Sequence, residues 1–124
     1  MKEVLLRYLA IGFAGSLGAI ARYAVGSQIG RLNYRFPLGT LVINITGSIF
    51  LGWFAAHIVK HPVSNVTSLA IGTGFVGAYT TFSTFMYESN KLADGGAFFL
   101  AIMNIVVSLV LGILGVRLGI FLAK

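Results

Sequence analysis

GTGFVGAYTTFSTF, residues 72–85, opens with the spacing G-x-G-x-x-G and runs on into a crowd of hydroxyls and phenylalanines. The glycine spacing alone is that of a dinucleotide-binding turn. Such a turn requires a strand before it, a soluble helix after it and an acidic residue about 20 positions on. Asp94 stands near that distance, but VTSLAI precedes the first glycine and the sequence stays apolar as far as Tyr87. No alternation of strands and helices surrounds the motif, so the dinucleotide reading fails for want of context.

Composition supplies the context. The chain has 124 residues, 57% hydrophobic and 10% charged, with a mean hydropathy of +0.92; soluble domains carry roughly 25% charged residues. This is the composition of an integral membrane protein. It has no cysteine, which excludes disulfides, thiolate nucleophiles and cysteine metal sites. The net charge of +6, from nine Lys and Arg against three acids, would suggest nucleic acid in a soluble protein. In this setting it suggests lipid headgroups or an anion, and no nucleic-acid partner.

A membrane-spanning helix needs about 20 mostly apolar residues. Four stretches qualify, at 5–29, 37–59, 66–88 and 97–122, which predicts an all-α protein of one four-helix transmembrane domain over residues 1–124. The segments RLNYRFP, KHPVSN and NKLADGG separate them and hold five of the twelve charged residues and both prolines. Pro37 suits the first turn of the second helix, where its missing N–H costs nothing. The first span has the basic start of a signal peptide, but its apolar part is long for one and it is read as retained. Connections this short join antiparallel neighbours and leave no soluble domain, so function lies within the membrane. Sixteen glycines, near twice the average share of about 7%, imply close helix approach. Gly12, Gly15 and Gly18, and Gly47 with Ser48 and Gly52, form small faces suited to packing within a subunit or between subunits.

Orientation in the membrane follows Lys and Arg near the span ends. One side carries Lys2, Arg7, Lys60, Arg117 and Lys124, the other Arg22, Arg31, Arg35 and Lys91. So even a distribution predicts insertion in both directions and an antiparallel homodimer of dual topology.

Polar groups inside the spans are costly and so merit a reason. Arg22 is the only charge deep in an apolar segment; it suits an anion, and equally suits snorkelling to a headgroup. Asn44 is a two-donor amide in the second span, read as interhelical glue from its type alone. Asn104 and Ser108, four apart, share one helical face and make a possible polar track. His57 and His61 are also four apart, but lack a third ligand and sit beside Pro62 at the membrane surface, where an interfacial role suits them better than a metal. Glu88 reads as an interfacial cap at the end of the third span.

The opening stretch then reads as a poor helix at mid-depth. Gly72, Gly74 and Gly77, followed by Thr80, Thr81, Ser83 and Thr84, predict a break in the third helix, tolerated in a membrane only where it is buried or lines a cavity. Broken helices offer carbonyls to cations and N–H groups to anions. Phe82 and Phe85, three apart, pack as core in most proteins, yet the positive edges of aromatic rings also line an anion path.

GTLVIN (39–44), GFVGAYTTFSTF (74–85) and an arginine at 22 in a four-span chain of this size strongly resemble the Fluc (CrcB) fluoride channels of microbes. The resemblance covers essentially the whole chain. It implies a dual-topology homodimer with two antiparallel pores, placed in the cell inner (plasma) membrane, that passively exports fluoride and lowers its toxicity. By position, Asn44 is similar to the pore asparagine, Phe82 and Phe85 to the pore aromatics, and Ser108 to a member of the polar track. Gly77 and Thr80 match the residues whose carbonyls, two from each subunit, hold a central structural Na⁺. Asn104 departs from the tyrosine of relatives. A small multidrug-type exporter has the same span count but calls for a membrane carboxylate, and the first span has none beyond Glu3. A non-transporting assembly subunit is the third reading.

Overall fold

The computed structural model describes residues 1–124, all of whose regular structure is helical. Three helices are long and apolar enough to cross a membrane: α1 (Lys2–Gly30), α2 (Leu38–Lys60) and α6 (Phe98–Leu122). Their sequences are continuous apolar runs with no internal proline, and in lipid the helix satisfies every backbone group internally. Pro37 caps α2, one residue outside the turn expected for it.

The stretch expected to form the remaining span is divided among shorter elements. Helix α3 (Asn65–Leu69) starts at a Ser64 cap, whose Oγ accepts from the Thr67 amide at 3.1 Å. A π-helical segment (Ala70–Val76) and a single turn, α4 (Gly77–Tyr79), follow. Thr80 (φ −81°, ψ 158°) and Thr81 (φ −149°, ψ 115°) are extended. Helix α5 (Phe82–Asp94) then runs to the turn before α6. The glycines are therefore not where the path leaves helical geometry. Gly72 and Gly74 lie inside the π segment, Gly77 opens α4, and the extended residues come three positions later.

Packing explains the glycines. Gly18 of α1 lies against the Phe75 backbone, so that a Cβ there would overlap the Phe75 carbonyl, and a Cβ at Gly74 would come within 2.8 Å of the Ile11 oxygen. Helix α1 and the π segment thus touch backbone to backbone, as small residues permit in membranes. A wide π turn fits this contact, since π-bulges recur where helix geometry is perturbed for function.

The second backbone seam joins α2 to α6. Gly115 faces Ile45 and Gly119 faces Ile49, so the two helices run parallel. Lys60 closes the seam, its Nζ donating to the carbonyls of Lys124 at 3.0 Å and Ala123 at 3.4 Å. A cation there also meets the negative ends of two helix dipoles. A Cβ on Gly119 would overlap the Ile49 carbonyl and the Trp53 amide, which are backbone atoms that cannot swing away. Gly119→Ala is therefore expected to destabilise the protein by about 1–3 kcal/mol or more. Gly30→Ala, with nothing within 4 Å, should leave the thermal midpoint in detergent unchanged, and equal midpoints for the two would contradict the seam.

Little else is buried. Only 16 of 124 residues are, among them Leu41, Ile43, Phe54, Val76, Phe85 and Ala101, while Leu5, Phe13, Ile20, Phe99, Ile113 and Phe121 stand exposed on α1 and α6. An apolar exterior on this scale belongs against lipid or another protein chain.

Candidate anion site at Thr80–Thr81

The backbone of Thr81 is held at both its amide and its carbonyl by one side chain. Asn44 of α2 uses both ends of its amide on Thr81, its Nδ2 donating to the Thr81 carbonyl at 3.0 Å and its Oδ1 accepting from the Thr81 amide at 2.8 Å. This replaces the backbone pairing that a continuous helix would have given Thr81. The clamp depends on Gly47, one turn along α2, where a Cβ would overlap the Thr80 methyl. A larger residue there would push the segment away from Asn44. Tyr79 is fixed alongside, its hydroxyl 2.9 Å from Thr46 Oγ1.

With Thr81 held extended, its side chain caps the helix that follows. Thr81 Oγ1 accepts from the Thr84 amide at 3.3 Å and donates to Thr84 Oγ1 at 3.0 Å. The N-terminus of α5, with its partial positive charge, thus opens beside hydroxyls. Phe82 and Phe85 follow at once, their rings edge to face with centroids 6.0 Å apart and planes at 65°. They differ sharply in burial, Phe85 being 5% exposed and Phe82 72% exposed.

Asn44, Ser48, Thr80, Thr81, Phe82 and Phe85 line one cleft of about 240 Å³. A larger one, about 580 Å³, lies on the other side of Thr81 between α1, α2 and α5, with Arg22, Thr40, Thr84 and Glu88 in its walls. Arg22 reaches from α1 to the segment, its Nη1 donating to the Thr80 carbonyl at 3.4 Å. The guanidinium is therefore turned inward on protein, one of the two orientations its sequence position left open.

The carbonyl of Gly77 loses its usual helical partner because the Thr81 amide is taken by Asn44, and Gly77 is exposed on the subunit surface. Gly77 opens the single turn α4, whose early end at Tyr79 leaves such carbonyls without amide partners. The carbonyl of Thr80 instead receives Arg22.

Asn104 and Ser108 occupy a different place. Asn104 is the one large side chain below 2% exposure. Its Nδ2 donates to Ser89 Oγ at 2.9 Å, and Ser89 donates to the Phe85 carbonyl at 2.8 Å. Ser108 donates to Asn104 Oδ1 at 3.5 Å. Neither residue lines the phenylalanine cleft; they reach it through Ser89, one turn beyond Phe85. Sequence reasoning passed over Ser89, whose spacing of four from Phe85 and helical location were the available signal. Glu88, read from sequence as an interfacial cap, is half-buried with an Oε2 that has no hydrogen-bond partner, and it lines both the larger cleft and a cleft at the α1–α2 loop. His57, expected at the membrane surface, stacks between Trp53 and His61 with ring centroids 5.0 and 4.7 Å away.

Comparison with known proteins bears on this arrangement. A fluoride-specific ion channel FluC of Acidobacterium capsulatum is 47% identical over 92% of this chain and 93% of its own. The fluoride-specific ion channel FluC 2 of Clostridium acetobutylicum is 42% identical over 94% of this chain and 97% of its own. A FluC of Campylobacter lari is 39% identical over 94% and 96%. The family model described as CrcB-like protein, Camphor Resistance (CrcB), matches residues 9–120, which takes in most of α1, the Asn44 clamp, both phenylalanines and nearly all of α6. A family model that matches most of the chain, together with relatives of this closeness, shows that the chain belongs to the CrcB family.

Proposed function

We propose that this protein is a passive, fluoride-selective channel of the cell inner membrane that lets F⁻ leave the cytoplasm and so lowers its toxicity. The observation that carries the reading is a cleft of hydroxyls and aromatic edges at the Asn44–Thr81 clamp, in a chain related over nine-tenths of its length to proteins named fluoride-specific channels. Fluoride is small and tightly hydrated, so a pore must replace its water with donors. The candidates are the second Asn44 N–H, the Thr and Ser hydroxyls and the ring edges of Phe82 and Phe85. HF enters a cell uncharged and releases F⁻ inside. A negative interior then drives F⁻ outward with about 2.3 kcal/mol per 100 mV, which leaves no need for a proton-coupling carboxylate or a nucleotide. The relatives named above are all named as fluoride-specific channels, which does not favour the exporter or assembly-subunit reading.

The working form is a homodimer of opposed subunits, set in lipid. Its support is the near-even basic charge on the two membrane faces and the exposure of Gly77 and Phe82 on the subunit surface. At the two-fold axis the carbonyls of Gly77 and Thr80 from both subunits hold a structural Na⁺. The unpaired Gly77 carbonyl fits that role, and the lack of any carboxylate there suits a monovalent ion better than Ca²⁺ or Mg²⁺. The Thr80 carbonyl would divide its lone pairs between the ion and Arg22. Asn104 and Ser108 support the path through Ser89 and Phe85.

Liposomes containing only this protein should lose internal F⁻ when a K⁺ ionophore balances charge, with Cl⁻ left behind. Replacing all Na⁺ by a bulky organic cation should slow the efflux. Tags on the C-terminus should be reached from both sides of intact cells. Liposomes that hold their F⁻ would end the channel reading, and tags reached from a single side for every copy would end the dual-topology one.

A further inference from the structure

We propose that Arg35 and Lys91 form a cationic mouth that gathers small anions at the protein surface and feeds them to the clefts beneath. The proposal rests on the channel reading for its purpose, but its anion-gathering part stands on the geometry and is tested separately.

The mouth is a cleft of about 350 Å³ where the α1–α2 loop meets the end of α5 and the turn into α6. Tyr34, Arg35, Glu88, Lys91 and Gly95 are in its wall. Two backbone turns shape it. Asn33 has φ 51°, a left-handed conformation that Asn adopts more readily than most residues, and Gly96, with φ 76°, turns the chain between α5 and α6. These turns bring Arg35 from one loop and Lys91 from the last turn of α5 to the same opening.

Its position gives it meaning. The mouth shares Tyr34, Pro37 and Glu88 with the larger cleft that holds Arg22, and that cleft shares Thr81 with the phenylalanine cleft. The three clefts thus adjoin through shared walls, the first with Arg35 and Lys91, the second with Arg22, the third with Asn44 and Phe82. In these walls three permanent cations stand against one carboxylate, Glu88. The other nearby acid, Asp94, does not line any of the clefts and accepts from Asn90 at 2.7 Å. A recess walled by low-dielectric protein and lipid focuses such a field and raises the local concentration of anions. A surface role with lipid headgroups alone would not require the two charges to line a cleft that shares walls with the one holding Arg22.

The test uses the whole protein in liposomes of zwitterionic lipid, so that no anionic headgroup competes. Removing both charges with Arg35→Gln and Lys91→Gln is expected to lower initial F⁻ efflux about fivefold at low ionic strength. The difference should vanish near 1 M salt, where screening acts within about 3 Å. Exchanging the two residue types, Arg35→Lys with Lys91→Arg, should restore the parent rate. A second measurement does not depend on conduction. With Tyr34→Trp as the reporter and Trp53→Phe to remove the native indole, iodide should quench the reporter more steeply with the two cations present than without. That advantage should also fade with salt. Equal quenching slopes with and without the cations would overturn the proposal. So would a flux loss that persists at high salt, which marks a structural role, or one that appears only with anionic lipid, which marks a headgroup site. Failure of the parent itself to pass F⁻ would count against the channel reading, while the quenching slopes would still decide the mouth.

Discussion

Asn44→Asp is expected to stop fluoride flux almost completely while the protein still assembles. Two effects act together. The Asn44 amide donates to the Thr81 carbonyl at 3.0 Å and accepts from the Thr81 amide at 2.8 Å. Aspartate keeps the second bond and loses the first, setting a carboxylate oxygen against a carbonyl oxygen. A buried acceptor left without its donor costs roughly 1–3 kcal/mol, which loosens the extended segment that presents Phe82. The added negative charge then faces the anion itself. At about 4 Å and an effective dielectric constant near 20 the repulsion is about 4 kcal/mol, or about a thousandfold in rate. Asn44→Ala separates the two effects, because it releases the clamp without adding charge and should leave a larger residual flux. Efflux from liposomes, with dimer content checked by gel filtration, measures both. A dimeric Asn44→Asp protein passing F⁻ at the parent rate would show that the clamp does not border the ion path.

The long apolar helices were legible because composition and run length fix them: α1, α2 and α6 end within a few residues of the expected spans. The stretch around residues 72–85 was legible only in outline. Glycine has two uses in a membrane helix, interruption and close approach, and the sequence does not distinguish them. Here Gly18 and Gly74 serve approach, and the extended residues are two threonines beyond the glycines. What makes extended backbone stable at Thr81 is a side chain 37 residues earlier, and a pairing over that distance leaves no local periodicity. For the same reason Asn44 read as glue between helices, when its partner is a stretch of backbone. Asn104 and Ser108 do share a face, but the structure ties that face to Ser89 on another helix, which their own spacing does not reveal. Glu88 looked like a terminal cap because it ends an apolar run; in the structure it is half-buried and lines two clefts together with Tyr34 and Pro37.

Phe82 and Phe85 carry the same expectation from sequence, and the structure divides it. Phe85 is 5% exposed and packs within the subunit, above the Ser89–Asn104 bonds, whereas Phe82 is 72% exposed at the start of α5. Phe85→Ile should therefore act in two ways, removing a ring edge from the cleft and disturbing a filled core, and a lower thermal midpoint should accompany its loss of flux. Full truncation, Phe85→Ala, should cost roughly 3–5 kcal/mol, the usual range for a buried phenylalanine. Phe82→Ile has little core to disturb, so its midpoint should stay at the parent value. If the exposed ring contributes its positive edge to the anion path, flux should nonetheless fall by at least about tenfold, the effect of about 1.4 kcal/mol on a barrier. Phe82→Tyr keeps an aromatic edge and should retain part of the rate. Two other outcomes would remove Phe82 as evidence for the ion path. A Phe82→Ile dimer that conducts at the parent rate would mean the ring only covers the subunit against lipid or its partner. A Phe82→Ile protein that fails to form dimers would mean the exposed ring is an assembly contact, and the flux loss would then say nothing about the ion.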